Sequence, residues 1–460
     1  MGYPNTRVFL YFSAFTVNLI SINTGAVFSW TSPTIPKLYS NNTDINPLGQ
    51  PITTSEESLL ASLQTAGAII GTITGGMMAE SLGRKITLVI NSLCFVVSYV
   101  IFILSTNIKY YYVGRSLTGL GAGAILSVLP SYVGEISENS NRGRTGSLQG
   151  IMGGIGHLMC FGIGPLVTIS TFSYIQLIPA VIFLFVFTIF IPESPYYFLA
   201  KNDDANALRS LKKLRKGSND YKELLYLKEV VNEKKNTKMN WSELALPATR
   251  NGLIVSCGIL ILQTFTGIPI ILFYLQPILD ASGNVIPSNL ASLIIGLVQI
   301  FSSIFSGFLI DRVGRKILLN ISSTGCSVSL ASLGLYFFLK ERNCNLDSIY
   351  WLPLASLIIF YFLFNIGYGP IPWAIGGELF ASNVKSVCVS IYGFIGLLVN
   401  LAVAASFPFV REIFGLSNVF FVFSGLAASA SLFVCLVVPE TKGKSFEEIQ
   451  NDLSGGKQNK

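Results

Sequence analysis

Six polar or aromatic side chains interrupt long apolar runs of this chain. A side-chain amide offers a hydrogen-bond donor and an acceptor side by side, and tryptophan offers a flat apolar face. Such groups suit a ligand rich in hydroxyl groups, such as a sugar. The alternative is that each amide only hydrogen-bonds a neighbouring helix. The candidate binding residues are Gln149, Gln263, Gln299, Asn365, Trp373 and Asn400.

Charged residues form a second pattern, and this pattern occurs twice. Segments 76–85 and 307–316 both carry Gly, an acid, Gly, Arg and Lys at the same offsets, about half the chain length apart. Each segment is a charged tight turn between two apolar runs. Such a repeat predicts two homologous halves, which in membrane proteins is typical of a transporter with its site between them.

More charges lie at matching places in the two halves. In each half an acid ends the fourth apolar run, a cation opens the fifth and another acid follows the sixth. Charges at a membrane edge are costly unless they are paired. They either anchor helix ends or form a cytoplasmic gate, a network that holds the halves together while the pore is open outward. The candidate gate residues are Arg84, Lys85, Glu135, Arg142, Glu193, Arg315, Lys316, Glu378, Lys385 and Glu440.

Helices that cross a membrane must position these residues. Of the 460 residues, 51% are hydrophobic and 12% are charged, whereas a soluble protein has roughly 25% charged residues. The mean hydropathy is +0.58. Many apolar runs exceed the ~20 residues that a helix needs to cross a bilayer, which excludes a soluble fold. The sequence predicts an all-α polytopic membrane protein with twelve spans, at 8–30, 58–80, 86–106, 111–134, 146–170, 174–192, 252–280, 288–310, 317–339, 351–377, 386–410 and 416–438.

The repeat also predicts the domain organisation. Residues 1–192 and 252–438 form two six-helix bundles, and residues 439–460 form a cytoplasmic tail. The polar segment 193–251 is a cytoplasmic helical linker with charges of both signs. It is either a solvated helical connection or a latch that packs under both halves.

Lysine and arginine set the predicted topology. They concentrate in loops on one side, so the positive-inside rule places both termini of this multi-pass protein in the cytoplasm. The plasma membrane is the expected location. The net charge of +7 therefore does not indicate a nucleic-acid partner. The run 8–30 is too long for a cleaved leader and is predicted to be the first span. Asn41 begins an Asn-Asn-Thr sequon on the outer side and is a candidate glycosylation site.

Several kinds of site are not expected. The chain has no zinc triad, nucleophile elbow or paired catalytic carboxylates, so neither catalysis, a metal nor a cofactor is predicted. Cys344 is the one cysteine in an outer loop, which argues against a disulfide framework. No Asp, Glu or Lys lies mid-span, and proton coupling requires a titratable group at depth. His157 is either a packed core residue or such a proton relay.

At this point the motifs resemble those of a known family. Over nearly its full length the chain is similar to the sugar porters of the major facilitator superfamily. The segments at 29–33 and 273–274 resemble the insect facilitated trehalose-transporter group and its hexose-transporting relatives. The matching motifs are Gly83-Arg84-Lys85, Pro130 to Glu135 with Arg142-Gly143, Pro192 to Pro195, Asp311 to Lys316, Gly369 to Trp373 with Glu378-Leu379-Phe380, and Pro439 to Gly443.

The resemblance implies the major facilitator fold, in which two six-helix bundles related by pseudo-two-fold symmetry enclose a central sugar site and work by alternating access. It implies that Gln263 matches the first Gln of the seventh-helix motif, and that Gln299 stands where a sugar-binding Asn is usual. It also implies roles for Trp373 in the tenth helix and Asn400 in the eleventh. A monomeric carrier in contact with membrane lipid is expected.

The chain departs from the family pattern at several positions. Thr264 replaces the second seventh-helix Gln, Asn365 replaces a tenth-helix acid, and Gln149 lies one position before the fifth-helix Gln. Asn23 stands where proton-coupled members carry Asp. The leading hypothesis is therefore a facilitative uniporter for a hexose or trehalose. A proton-coupled symporter using His157 and a non-transporting sugar sensor are the alternatives.

Overall fold

The structure, a computed structural model, describes residues 8–138, 141–215, 220–236, 241–283, 286–381 and 383–454. Within these ranges every regular element is a helix and no strand is present. The side chain of the predicted gate residue Arg142 lies outside the described part, as do residues 455–460 of the predicted tail.

The first half of the chain consists of long helices joined by short turns. Leu19 keeps helical dihedral angles (φ −54°, ψ −35°), so the first two helices together form the first predicted span. The fifth predicted span ends early, at Gly162, because Pro165 cannot continue the helix. The helices are α1 (Val8–Asn18), α2 (Ile20–Ser29), α3 (Thr31–Leu38), α4 (Thr54–Ser81), α5 (Arg84–Leu104), α6 (Ile108–Ile136), α7 (Arg142–Gly162) and α8 (Ile169–Phe190).

The segment predicted to be the linker contains three helices, and it contacts the first half of the chain. It contains α9 (Pro195–Ala200), α10 (Asp204–Arg215) and α11 (Asp220–Asn236). Arg215 donates to the carbonyl oxygen of Ile136, the last residue of α6, at 2.7 Å. The linker helices also enclose a small apolar core of Leu199, Ala207, Leu211, Leu224, Leu227 and Val231.

The second half repeats the long helices, with additional breaks. The last long helix contains a non-helical residue, Gly415 (φ 79°, ψ 163°), and therefore covers two predicted spans. The helices are α12 (Pro247–Phe265), α13 (Ile268–Ser282), α14 (Ser288–Val313), α15 (Arg315–Glu341), α16 (Leu352–Ile366), α17 (Ile371–Glu378), α18 (Lys385–Leu436) and α19 (Phe446–Ser454).

The helices of the described part agree with twelve membrane spans. Ten stretches are long and apolar enough to cross a bilayer, and one of them is the 52-residue α18, which holds two spans. The remaining span corresponds to α7, a 21-residue helix rich in glycine. The predicted all-α polytopic architecture is confirmed.

The chain forms two compact units. The first comprises the described residues within Met1–Trp30, Lys37–Pro51 and Leu63–Lys238, and α5 packs there against α6 and α8. The second comprises those within Thr31–Pro36, Ile52–Ser62 and Met239–Lys460, and α15 packs there against α16 and α18. The first turns of α4 thus belong to the second unit and its remainder to the first.

Candidate functional site

Two glycines create the same turn in each half. Gly83 precedes α5 with φ 100° and ψ 161°, and Gly314 precedes α15 with φ 107° and ψ 153°. Positive φ is costly for residues that carry a Cβ. A Cβ on Gly83 would also lie 2.3 Å from Glu193 Oε2, and one on Gly314 would lie 2.9 Å from Glu440 Oε2. The sequence repeat is therefore a structural repeat.

The two carboxylates next to these turns cap the helices that follow. Glu193 Oε2 accepts from the backbone N–H of Lys85 at 2.9 Å. Glu440 accepts from the backbone N–H groups of Arg315 and Lys316 at 3.0 and 3.1 Å. The first N–H groups of a helix lack partners within the helix and carry partial positive charge, so an anion is favourable there.

The two capping carboxylates differ in pKa. Burial raises the pKa of Glu193, although the N–H groups of Ser194 and Lys85 oppose that change. Burial also disfavours the charged form of Glu440, but backbone N–H groups, including that of Lys442, outweigh it and lower its pKa. As the pH falls, Glu193 is therefore protonated before Glu440.

The arginine of each turn pairs with the acid that ends the fourth helix of its half. Arg84 contacts Glu135 at 3.0 Å in the first unit. Arg315 contacts Glu378 at 3.1 Å in the second. Each described pair thus lies within one unit, and a gate that joins the halves stays a prediction. The three predicted lysines donate to backbone carbonyls, Lys85 to Thr188, Lys316 to Cys435 and Lys385 to Gly377.

The predicted sugar site lies beside two helix breaks in the second unit. Gly267 has φ 84° and separates α12 from α13 within the predicted span 252–280. Gly267 and the nearby Pro269 are residue types that interrupt a helix. The segment Gly367–Pro370 separates α16 from α17 in the same way. Non-helical backbone at membrane depth is tolerated only inside the protein or at a cavity, and it is typical of transporter sites.

Prolines leave backbone carbonyls without helical partners at the second break, and side chains fill the gap. A helical N–H at position 372 would bond the carbonyl of Tyr368, but Pro372 has none. Gln263 Nε2 donates to that carbonyl instead, at 2.5 Å. Pro370 likewise frees the carbonyl of Ile366, which accepts from Ser306 Oγ at 3.4 Å. Gln263 therefore connects the two breaks.

Two more predicted site residues lie on adjoining helices. Asn365 Nδ2, at the end of α16, donates to Ser302 Oγ at 2.9 Å. Ser302 in turn donates to the backbone carbonyl of Gln299 at 3.0 Å, one turn earlier on α14. The Gln299 side chain is only 8% exposed, in keeping with a polar group placed inside the protein. Asn365 thus contacts α14 one turn after Gln299, through Ser302, which the sequence motifs do not indicate.

The remaining predicted site residues lie on other helices. Trp373 on α17 is 53% exposed, and its ring centroid lies 6.3 Å from that of Tyr392 on α18. Asn400 is half-buried on α18. Gln149 is half-buried on α7 and belongs to the first unit, whereas the other five belong to the second.

A buried polar cluster in the first unit was only partly identified from the sequence. Asn23 Nδ2 donates to Tyr99 Oη at 3.2 Å and to the backbone carbonyl of Gln176 at 2.7 Å. Arg115, fully buried, donates to the carbonyl of Val27 at 2.9 Å. The pairing of Asn23 with residue 176 joins α2 to α8 and has no local sequence signal.

His157 has a defined partner in the same unit. Its Nδ1 lies 2.5 Å from Ser29 Oγ, and its ring stacks on Phe161 with centroids 6.4 Å apart. In the part of the chain that the structure describes, no cluster of three His, Cys, Asp or Glu side chains has the arrangement of a metal site.

Known proteins resemble this chain along most of its length. The family described as "Sugar (and other) transporter" matches residues 13–453. The facilitated trehalose transporter Tret1 of Bombyx mori is 33% identical over 451 residues, which cover 96% of this chain and 86% of that protein. Tret1 of Polypedilum vanderplanki is 31% identical over 461 residues, covering 98% and 90%.

Solved structures show the same fold. A partially occluded inward-open structure of the xylose transporter XylE from E. coli superposes with a TM-score of 0.78 at 21% identity, covering 95% of this chain and 99% of that one. An auto-inhibited POT-family peptide transporter gives 0.64 at 13% identity, covering 92% and 96%. The predicted major facilitator fold is confirmed.

Proposed function

The chain belongs to the sugar (and other) transporter family, and from this premise we propose that it is a facilitative carrier for trehalose or a glucose-like hexose. The relatives named above are transporters rather than enzymes. Their printed names support trehalose, and the amide-rich site also suits a hexose. We infer that residues 1–192 and 252–460 rock against each other so that the central site opens alternately to either side.

The hydrogen bond between Gln263 and Tyr368 is the observation that carries this proposal. It joins two broken helices at one place and holds a half-buried amide there. Gln299, Asn365, Trp373 and Asn400 lie on the helices of the same unit. With its amide nitrogen engaged by Tyr368, Gln263 keeps its oxygen as an acceptor for a sugar hydroxyl. Gln149 would contribute from the other half.

The uniport mechanism is supported by Asn23, an uncharged residue in the buried polar cluster of the first unit. Its amide bonds Tyr99 and the carbonyl of Gln176, and none of these three groups carries a charge at physiological pH. A symporter needs a group at depth that gains and loses a proton. His157 has the required chemistry, but its close partner is the hydroxyl of Ser29.

We expect sugar uptake to be downhill and insensitive to pH. Cells expressing the chain should take up radiolabelled trehalose or glucose until the inside and outside concentrations are equal. The initial rate should stay constant between about pH 5 and 8, the range in which histidine titrates. The measurement is uptake and sugar-induced current with and without a protonophore.

Sucrose and an inactive carrier with the central amides removed serve as controls. Accumulation above the outside concentration that a protonophore abolishes would contradict uniport and favour the symporter. Absence of uptake for every hexose and for trehalose, with normal surface expression, would contradict the transport proposal itself and favour the sensor alternative.

We further propose that the charged cluster forms the cytoplasmic gate. Arg315 and Glu378 are 16% and 29% exposed, so solvent screens the pair and its loss costs about 1 kcal/mol, or roughly a fivefold shift between two states. In Glu378→Gln, labelling of the buried native Cys388 from the cytoplasmic side should rise by about that factor. Exposed Glu447→Gln is the matched control. If Cys388 is labelled equally in wild type and in a folded Glu378→Gln carrier, these residues only anchor helix ends.

The location is also a proposal. The distribution of lysine and arginine supports a multi-pass protein with both termini in the cytoplasm, and the membrane that we propose is the plasma membrane. In that orientation Asn41, which is exposed, lies outside the cell and accepts a glycan. The carrier functions as a monomer surrounded by membrane lipid.

A further inference from the structure

A buried carboxylate ties the first turn of α4 to α18. Glu57 Oε2 accepts from Arg411 Nη2 at 2.8 Å, and their side chains are 0% and 26% exposed. The adjacent Ser58 Oγ donates to the carbonyl of Ala405 at 2.6 Å. A buried charge is retained only when it is paired, so this contact fixes α4 on α18.

Local sequence directs Glu57 inward. The N–H of Thr53 donates to Glu56 Oε2 at 2.7 Å, and the N–H of Glu56 donates to Thr53 Oγ1 at 3.3 Å. These reciprocal bonds form a capping box, which fixes the first turn of the helix. The Glu56 side chain hydrogen-bonds within the cap, and the next residue, Glu57, faces the protein interior.

The position of this contact within α4 is unusual. Residues Ile52–Ser62 belong to the second compact unit together with α18, whereas α4 from Leu63 onward belongs to the first unit. One continuous helix is thus divided between two units. A change in the relative position of the units must either separate Glu57 from Arg411 or bend α4.

Aromatic contacts link Arg411 to an irregular part of α13. The Arg411 guanidinium lies 5.7 Å from the centroid of Phe407. Phe407 in turn lies 4.6 Å from the ring of Tyr274. Tyr274 has non-helical dihedral angles (φ −127°, ψ 19°) and interrupts α13 beyond the Gly267 break. The ion pair is therefore connected to the discontinuous helix next to Gln263.

We propose that Glu57 and Arg411 are positioning residues for transport, whose ion pair holds the first turn of α4 on α18 in one state of the cycle and separates in the other. This proposal rests on the alternating-access function proposed above. With ~1.5 Å of rise per residue, the 28-residue α4 places Glu57 at the end opposite Arg84. In the proposed orientation that end faces the outside.

The two partners differ in what happens when they separate. Arg411 lines a cavity of about 470 Å³, together with Lys340 and Glu341, so a released guanidinium has room for water. Glu57 is fully buried and would lose its cation without gaining solvent. Replacing Arg411 should therefore weaken the contact between the first turn of α4 and α18 more than replacing Glu57 does.

Cysteine labelling tests the proposal without any sugar. Ser58→Cys is close in size to the buried serine and reports on the α4–α18 contact, in a background with the exposed Cys344 changed to serine. A membrane-impermeant maleimide is applied to intact cells. It should label Ser58→Cys about tenfold faster when Arg411→Gln is added, and the increase with Glu57→Gln should be smaller. Such coupling is expected for residues in direct contact. Glu412→Gln, an exposed neighbouring acid on α18, should change nothing.

Transport kinetics provide the second measurement. Shifting the carrier toward its outward-open state should lower the half-saturation constant for external trehalose, because more carriers expose the site. The maximal rate per surface molecule should fall, because the empty carrier must close to return. A merely structural role would lower surface expression and leave both constants unchanged.

The double variant Glu57→Gln/Arg411→Gln separates the remaining outcomes. If the residues act as a pair, its labelling rate should not exceed that of Arg411→Gln alone. Additive effects, or unchanged labelling in folded single variants, would overturn the proposal. If Arg411→Gln fails to fold, Glu57→Gln with its control decides the question. Faster labelling without any sugar transport would support the role of the ion pair and count against the proposed function instead.

Discussion

Replacing Gln263 with alanine is expected to raise the half-saturation constant for the transported sugar about five- to a hundredfold. An amide that pairs with a buried hydroxyl contributes ~1–3 kcal/mol, which corresponds to that range of affinity. The substitution also leaves the Tyr368 carbonyl without its donor, since Pro372 offers no N–H. The first effect acts on sugar binding, whereas the second also destabilises the empty carrier, in which the bond to Tyr368 is present. The measurement is uptake kinetics normalised to the amount of carrier at the cell surface.

Two variants control this experiment. Thr264→Val removes only a hydroxyl that bonds the carbonyl of Leu260 within the same helix, so it should leave the half-saturation constant unchanged. Gln263→Asn keeps the amide on a shorter side chain, so its half-saturation constant should lie between those of the wild type and Gln263→Ala. If Gln263→Ala transports with wild-type constants and is merely less stable, the amide serves only to join the helix breaks and the sugar binds elsewhere.

Replacing Gly83 with alanine is expected to be among the most destabilising single changes in the chain. Its φ of 100° disfavours any Cβ, and the added carbon would lie 2.3 Å from Glu193 Oε2. The Glu193 carboxylate must then move off the N–H of Lys85. Backbone strain and displacement of a partly buried acid each cost about 1–3 kcal/mol. The melting temperature of the detergent-solubilised carrier should fall by several degrees.

The structural repeat supplies a graded control for this prediction. Gly314 has a similar positive φ of 107°, but a Cβ there would lie 2.9 Å from Glu440 Oε2, which is less close. Gly314→Ala should therefore destabilise the carrier less than Gly83→Ala. Gly307→Ala lies in helix α14 with nothing within 4 Å of the new carbon. It should be neutral or slightly stabilising, because alanine favours the helix. Equal melting temperatures for all three variants would mean that the turns tolerate a side chain.

The sequence alone determined the membrane helices and the turns between them. In a bilayer each span must satisfy its own backbone hydrogen bonds, so apolar run length is a local property that can be read residue by residue. The break at Gly267 and the turns at Gly83 and Gly314 were equally readable, because φ and the missing proline N–H are properties of single residues. The apolar run continues beyond the end of α7 by several residues, because Pro165 ends the helix within the run.

Tertiary structure decided which distant groups meet. Gln263 reaches the carbonyl of Tyr368, and Asn23 reaches that of Gln176, each more than a hundred residues away in the chain. Glu57 was not singled out from the sequence at all, because an acid next to a capping Glu56 reads as a helix-start residue. Its inward direction and its partner Arg411 depend on how α4 is rotated against α18. Such rotations are set by packing over whole helix faces, and no local pattern encodes them.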